Sequence, residues 1–150
     1  MLGQQQLLRW LQLLLFAERG SKNTSSPLLL LAAQRGKFLE LLAERINQHD
    51  EEFHERAFMT GILSLLDALL NQPLEDIVKQ INLTSDVRGA LLEREGQLGT
   101  MLQLAQELER TDFEQVTKRA AELKLSIDEL MHNQAEAIAW ATSIAAGESA

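Results

Sequence analysis

The sequence predicts an all-α protein of about eight helices in a single domain spanning residues 1–150, and three observations predict it. Proline is scarce at two residues and glycine moderate at eight in a chain of 150 residues, a composition that favours long helices over strands and turns. Apolar residues recur at spacings of three and four, and no alternating run of period two persists. A chain of this length can bury one core. The sequence has no repeat of fixed period, which argues against a solenoid, and no strict heptad, which argues against a coiled coil.

Helix start and stop residues divide the chain into segments. Ser26 and Pro27 have the N-cap and N1 pattern. Capping-box spacing occurs at Thr111–Glu114 and again at Ser126–Glu129. Gly96 and Gly99 are expected to bracket a turn between helices. The helices are predicted at about residues 4–19, 27–47, 53–70, 73–79, 85–94, 98–110, 111–123 and 126–146.

The first predicted helix, at about residues 4–19, is apolar on nearly all its faces. Such a helix is either buried or waits for a partner. Trp10, Leu14 and Phe16 are the contact residues that we expect for a protein partner, and a simple core role explains them equally well.

The third predicted helix contains the stretch GILSLLDALL, in which a carboxylate lies among leucines. Small and weakly polar residues recur along this helix at spacings of three and four, and a face of this kind lets a neighbouring helix approach closely. They are Ala57, Thr60, Gly61, Ser64, Asp67 and Ala68. An unpaired buried carboxylate is very unfavourable, so Asp67 is expected to accept from the N–H groups of another helix or to pair with an arginine.

The charge balance makes several partner classes poor candidates. The net charge is −8 and the pI is about 4.9, with no basic run. Phosphate backbones and anionic lipids are bound through Lys/Arg patches, so neither nucleic acid nor a membrane surface is expected as a partner. The chain has no cysteine, and its first residues lack the pattern of a secretory signal. A cytoplasmic location fits both features.

The sequence contains few residues in patterns typical of catalysis or cofactor binding. The acidic run HDEEFHE contains His49 and His54, which are five residues apart, whereas two metal ligands on one helical face need a spacing of three or four. A solvated junction between helices explains this run, and a polar helix face explains His132. There is no nucleophile elbow and no glycine-rich phosphate loop. We therefore expect no catalytic residue, no metal ligand and no cofactor.

The segment AFMTGILSLLDALL, residues 57–70, resembles the central helix of the HD superfamily of metal phosphohydrolases. In catalytic members an adjacent His and Asp on this helix bind a divalent metal that activates water. Here Ser64 stands where the His would be, and Leu65 stands where the Asp would be. Leucine cannot bind a metal. The literal dipeptide His49–Asp50 lies in the polar junction rather than on this helix.

A narrower resemblance covers nearly the whole chain. The chain is similar to the C-terminal part of an HDOD domain, the HD-related output domain that has lost its metal ligands, and within that group to the branch behind an EAL cyclic-di-GMP phosphodiesterase domain. The segments that carry the likeness are LLRWLQLLLFA, AFMTGILSLLDALLNQPLEDIV and LTSDVRGALLEREGQLGTMLQLAQELE. HDOD domains have several helices before this segment, so the resemblance implies an N-terminally shortened domain.

Three functions follow as hypotheses. The leading one is a non-catalytic signalling module that acts by protein–protein contact, as a homodimer or on an attached EAL domain to which any phosphodiesterase activity would belong. The second is a free-standing helical adaptor without an EAL connection. The third is a residual metal phosphohydrolase using His49, Asp50, His54 and Asp67, which the ligand spacing disfavours.

Overall fold

The structure is a computed structural model that describes residues 27–145, and every regular element within those residues is an α-helix. The predicted all-α class is thereby confirmed. The helix expected at residues 4–19, with Trp10, Leu14 and Phe16, lies outside the described residues, as does the cap at Ser26. The helices are α1 (Pro27–Ile46), α2 (Glu51–Leu63), α3 (Leu66–Leu70), α4 (Leu74–Lys79), α5 (Ser85–Glu93), α6 (Gly96–Glu109), α7 (Phe113–Leu123) and α8 (Ile127–Ala145).

Helix α1 is the central element because it packs against α2, α6 and α8. Its leucines and small residues recur at helical spacing, and Leu39 and Leu42 are fully buried. Helix α2 joins α8 through an edge-to-face contact between Phe58 and Trp140, whose ring centroids are 6.0 Å apart. The core therefore lies where α1, α2, α6 and α8 meet.

Helices α1 and α2 cross at two glycines. A Cβ atom added to Gly61 would lie 2.5 Å from the Cα of Gly36, and a Cβ on Gly36 would lie 2.8 Å from the Cγ1 of Ile62. Only glycine permits the two backbones to touch in this way. The close approach predicted from the small residues around Gly61 is confirmed, with Gly36 as its partner.

The single helix predicted at residues 53–70 was wrong, because it is broken after Leu63. Leu65 has φ −109° and ψ 2°, and its N–H donates to the carbonyl of Ile62 at 3.3 Å in place of the α-helical bond. After the break Leu66 stays in the core, whereas Asp67 and Ala68 are exposed. The Oδ1 of Asp67 accepts from the backbone N–H of Ala68 at 2.8 Å. The expectation that Asp67 is buried and paired was therefore also wrong.

The helix ends follow the sequence signals with small shifts. Ser126 and Glu129 form the predicted capping box, with the Ser126 N–H donating to Glu129 Oε1 at 3.0 Å and the Glu129 N–H donating to Ser126 Oγ at 3.1 Å. Asp112, rather than Thr111, caps α7. Gly99 lies inside α6, where a Cβ would be 2.2 Å from the carbonyl carbon of Arg94.

Within residues 27–145, none of the helices has the length and apolar content that crossing a bilayer requires.

Candidate functional site

The hydroxyl of Ser64 lies at the end of α2, against the middle of α1. Arg35 on α1 donates from Nη1 to the Ser64 Oγ at 2.9 Å, and that hydroxyl donates in turn to the carbonyl of Gly61 at 2.7 Å. Only 6% of Arg35 and 8% of Ser64 is exposed. The glycine crossing brings the two helices close enough for this buried bond to form.

A carboxylate from a third helix completes the cluster. Arg35 donates from Nε to Oε2 of Glu109 at 2.9 Å, and its Nη2 donates to Oε1 of the same side chain. Such a bidentate pair fixes the geometry of both groups. The Glu109 side chain is 26% exposed. Arg35, Ser64 and Glu109 thus tie α1, α2 and α6 together, and we call them the arginine centre.

The sequence interpretation named Ser64 but missed Arg35 and Glu109. A signal for Arg35 was present, because it falls in the same helical register as Leu28, Leu39 and Leu42 on the apolar face of α1. A charged residue at such a position requires a buried partner. No local signal marks Glu109, because it lies 74 residues further along the chain.

A second guanidinium, that of Arg94, lies near the arginine centre. Its burial and the neighbouring charge of Arg35 lower the pKa of Arg94, and the charge of Asp67 opposes that shift. Arg94 donates to the carbonyl of Leu91 at 2.6 Å and to the Oε1 of Gln106 at 3.2 Å. Asp67 therefore acts on Arg94 through its charge, from an exposed position.

The arginine centre is suited to holding helices together. A serine acts as a nucleophile when a base accepts its proton, but the Ser64 hydroxyl donates to a backbone carbonyl and accepts from a cation. A guanidinium 2.9 Å from Ser64 Oγ also repels any divalent cation there. Leu65 is buried and supplies no ligand atom.

The residues of the metal-phosphohydrolase hypothesis do not converge. Asp50 caps α2, with its Oδ1 accepting from the Phe53 N–H at 3.1 Å, whereas Asp67 lies beyond the other end of that helix. His54 donates from Nε2 to the carbonyl of Asn47 at 2.6 Å and is buried, so the solvated junction expected for this run was wrong for His54. His49 is exposed.

Over the described ranges, no three His, Cys, Asp or Glu side chains lie together in a way that could hold a metal ion. The third histidine, His132, lies exposed on α8, where its Nε2 is 3.3 Å from Oε1 of Glu136. The polar helix face expected around His132 is confirmed.

Two curated proteins are similar to this chain. It is 36% identical over 143 residues to the cyclic di-GMP phosphodiesterase CdgJ of Vibrio cholerae, an alignment that covers 95% of this chain and 32% of that protein. It is 27% identical over 142 residues to the uncharacterized protein YuxH of Bacillus subtilis, covering 93% of this chain and 34% of that protein. The chain thus spans about a third of the length of either relative. No family model and no solved structure matches it.

Proposed function

We propose that this chain is a non-catalytic regulatory module of a cyclic-di-GMP signalling protein, acting through protein–protein contact. In this proposal the chemistry of cyclic-di-GMP hydrolysis belongs to a separate segment, of the EAL type, and the helical chain is an HDOD-like output module. Its partner is an attached phosphodiesterase segment or a second copy of the chain.

The bond from Arg35 to Ser64 carries the non-catalytic part of this proposal. The resemblance to catalytic HD proteins implies that Ser64 replaces a metal-binding histidine, and the Ser64 hydroxyl accepts a hydrogen bond from the Arg35 guanidinium. The Glu109 carboxylate neutralises the guanidinium and holds it in place. A catalytic metal ion activates a bound water molecule. The guanidinium of Arg35 only neutralises the Glu109 carboxylate and stabilises the packing of the helices.

The signalling part of the proposal rests on the likeness to the Vibrio protein. The alignment covers 95% of this chain but 32% of the relative. Two thirds of the relative therefore lies outside the alignment and has room for a catalytic segment. An activity named for the whole relative accordingly does not have to reside in the part that this chain matches.

The first test asks whether the chain itself is catalytic. We expect the purified protein to carry no stoichiometric transition metal and to leave cyclic di-GMP intact in the presence of Mg²⁺ or Mn²⁺. Elemental analysis and chromatographic separation of the nucleotide products measure the two properties. Hydrolysis that is lost on adding a chelator would replace the proposal with the metal-phosphohydrolase hypothesis.

The second test addresses regulation and begins with the DNA upstream of the Met1 codon. If the open frame continues into a phosphodiesterase segment, the hydrolysis rate of the long protein is compared with that of a version lacking these 150 residues. We expect removal of these residues to change the hydrolysis rate or the oligomeric state of the long protein. If the long and the shortened protein have the same hydrolysis rate and the same oligomeric state, the proposal is contradicted. A stop codon and a ribosome-binding site just upstream would favour the free-standing adaptor.

A further inference from the structure

A shallow groove lies between α1, α6 and α8, next to the arginine centre. Side chains from all three helices form its apolar wall, namely Phe38, Leu108, Ala137 and Ile138, and Arg35 and Glu109 also line it. The groove holds about 40 Å³ of free space, whereas sites for small-molecule ligands hold about 300–1,000 Å³. It is therefore too small for such a ligand and has room for the end of one side chain.

The apolar face of α8 extends beyond the part that the described helices cover. Ile127, Met131 and Ile138 are four and seven residues apart, so they lie on one face of this helix. Their exposed fractions are 43%, 36% and 43%. An apolar stripe that starts in a groove and continues along a helix offers a surface on which a further helix can pack.

One segment of this chain has the matching property. Residues 4–19 lie outside the described residues, and their sequence predicts a helix that needs an apolar surface to pack against. One face of that predicted helix is uninterrupted, with the apolar residues Leu7, Trp10, Leu11 and Leu14. The polar residues Gln5, Arg9 and Gln12 fall on the opposite face. The segment can therefore bury the first face while the second stays in solvent.

The length of chain between this segment and α1 determines where the segment can lie. Residues 20–26 are seven residues, which extend to at most about 25 Å. Helices joined by a short connection pack side by side in antiparallel directions. With residue 19 level with Pro27, residues 8–12 lie level with residues 34–38 of α1. Gln34 and Phe38 line the groove, so the predicted helix reaches it with Trp10 and Leu11.

We propose that residues 4–19 dock as a helix along the groove and the exposed stripe of α8. Trp10 and Leu11 then lie over Phe38 and Ile138. Docked in this way, the segment covers the open side of the arginine centre and helps to hold Glu109 in place. Docking does not depend on the regulatory role proposed above, so either proposal can fail without the other.

The test is cross-linking of introduced cysteines in the full chain, which has no cysteine of its own. Leu8→Cys, at the edge of the docked face, is combined with Gln134→Cys in the groove, and the protein is treated with a short bismaleimide. We expect a link within one chain, identified by mass spectrometry. The matched control pairs Leu8→Cys with Ser85→Cys, since Ser85 is exposed on α5 and does not line the groove. Its yield should be lower by about tenfold, because docking raises the effective concentration only at the groove.

A second pair of variants tests whether apolar contact drives docking. Ile138→Asp, added to the Leu8→Cys/Gln134→Cys protein, should lower the yield of the link by about tenfold, because docking would bury an unpaired carboxylate. Ala139→Asp introduces the same charge at an exposed position that does not line the groove, and it should leave the yield unchanged. Circular dichroism checks that both variants keep their helix content.

Three outcomes overturn the proposal. The first is an equal yield of links from the groove pair and the Ser85 pair, including none from either. The second is an equal yield with Ile138→Asp and Ala139→Asp. The third is a link between two chains in place of the link within one chain, which would assign the groove to a second copy of the protein.

Discussion

The crossing of α1 and α2 provides the sharpest test of the packing described above, through the substitution Gly61→Ala. The added Cβ would lie 2.5 Å from the Cα of Gly36, 2.6 Å from its nitrogen and 2.7 Å from the carbonyl oxygen of Arg35. All three are backbone atoms, which cannot rotate away as a side chain can. The helices must therefore separate by about 0.9 Å to reach the ordinary contact distance of 3.4 Å.

The magnitude follows from two opposing effects. Overpacking a core by one methyl group costs about 1–3 kcal/mol, and a clash with three backbone atoms belongs at the upper end of that range. Alanine in place of glycine favours the helix by about 1 kcal/mol. The free energy of unfolding should therefore fall by about 2 kcal/mol. For a chain of this size that corresponds to a Tm lower by about 4–8 °C.

Urea denaturation followed by circular dichroism measures the change, and Gly89→Ala is the matched control. Gly89 lies within α5, and a Cβ there would meet only the flexible Glu95 side chain, at 3.1 Å from Oε2 and 3.6 Å from Cβ. Helix propensity should then dominate and raise stability by about 0.5–1 kcal/mol. If Gly61→Ala stabilised the protein as Gly89→Ala does, the close crossing described here would be incorrect.

Three further predictions concern charged side chains. Arg35→Met should lower the free energy of unfolding by about 3 kcal/mol, because Glu109 loses its counter-charge. Glu109→Gln should also cost about 3 kcal/mol, because it leaves the buried guanidinium of Arg35 without a counter-charge. Burial raises the pKa of Asp86, but hydrogen bonds from Thr84 and Arg56 outweigh it and hold that pKa below its ordinary value of 3.8. Because the pKa of Asp86 is lower in the folded state, its ionised carboxylate stabilises the protein above pH 3.8, and this stabilisation is lost as the pH falls through the folded-state pKa. The Tm difference between wild type and Asp86→Asn should therefore shrink in acid. Asp50→Ala removes the cap of α2 and should cost about 1 kcal/mol, whereas Asp67→Ala at an exposed position should change stability by less than about 0.5 kcal/mol.

Each of these comparisons has an outcome that contradicts it. Urea denaturation curves of Arg35→Met that overlay those of the wild type would show that the arginine centre does not stabilise the packing. A Tm difference for Asp86→Asn that stays constant from neutral pH to below pH 3.8 would exclude the charge of Asp86 as its cause. Equal losses from Asp50→Ala and Asp67→Ala would remove the distinction between a helix cap and a surface carboxylate.

The amino-acid sequence by itself determined the all-α class and most helix limits, because both depend on interactions between residues close together in the chain. The spacing of leucines predicts α1, and the Ser126–Glu129 capping box predicts the start of α8. The small residues around Gly61 likewise predicted a close helix crossing, although the sequence did not name Gly36 as the partner.

Tertiary structure alone decided the chemistry at Ser64. The resemblance to metal phosphohydrolases suggested that Ser64 stands at the position of a metal ligand, and the sequence drew attention to Asp67 as the charge to explain. The fold instead breaks the helix at Leu65 and leaves Asp67 exposed to solvent. Arg35, 29 residues before Ser64, donates to the serine hydroxyl, and Glu109, 74 residues after Arg35, pairs with that arginine. Contacts of such separation depend on how whole helices pack, and no local pattern of residues specifies them.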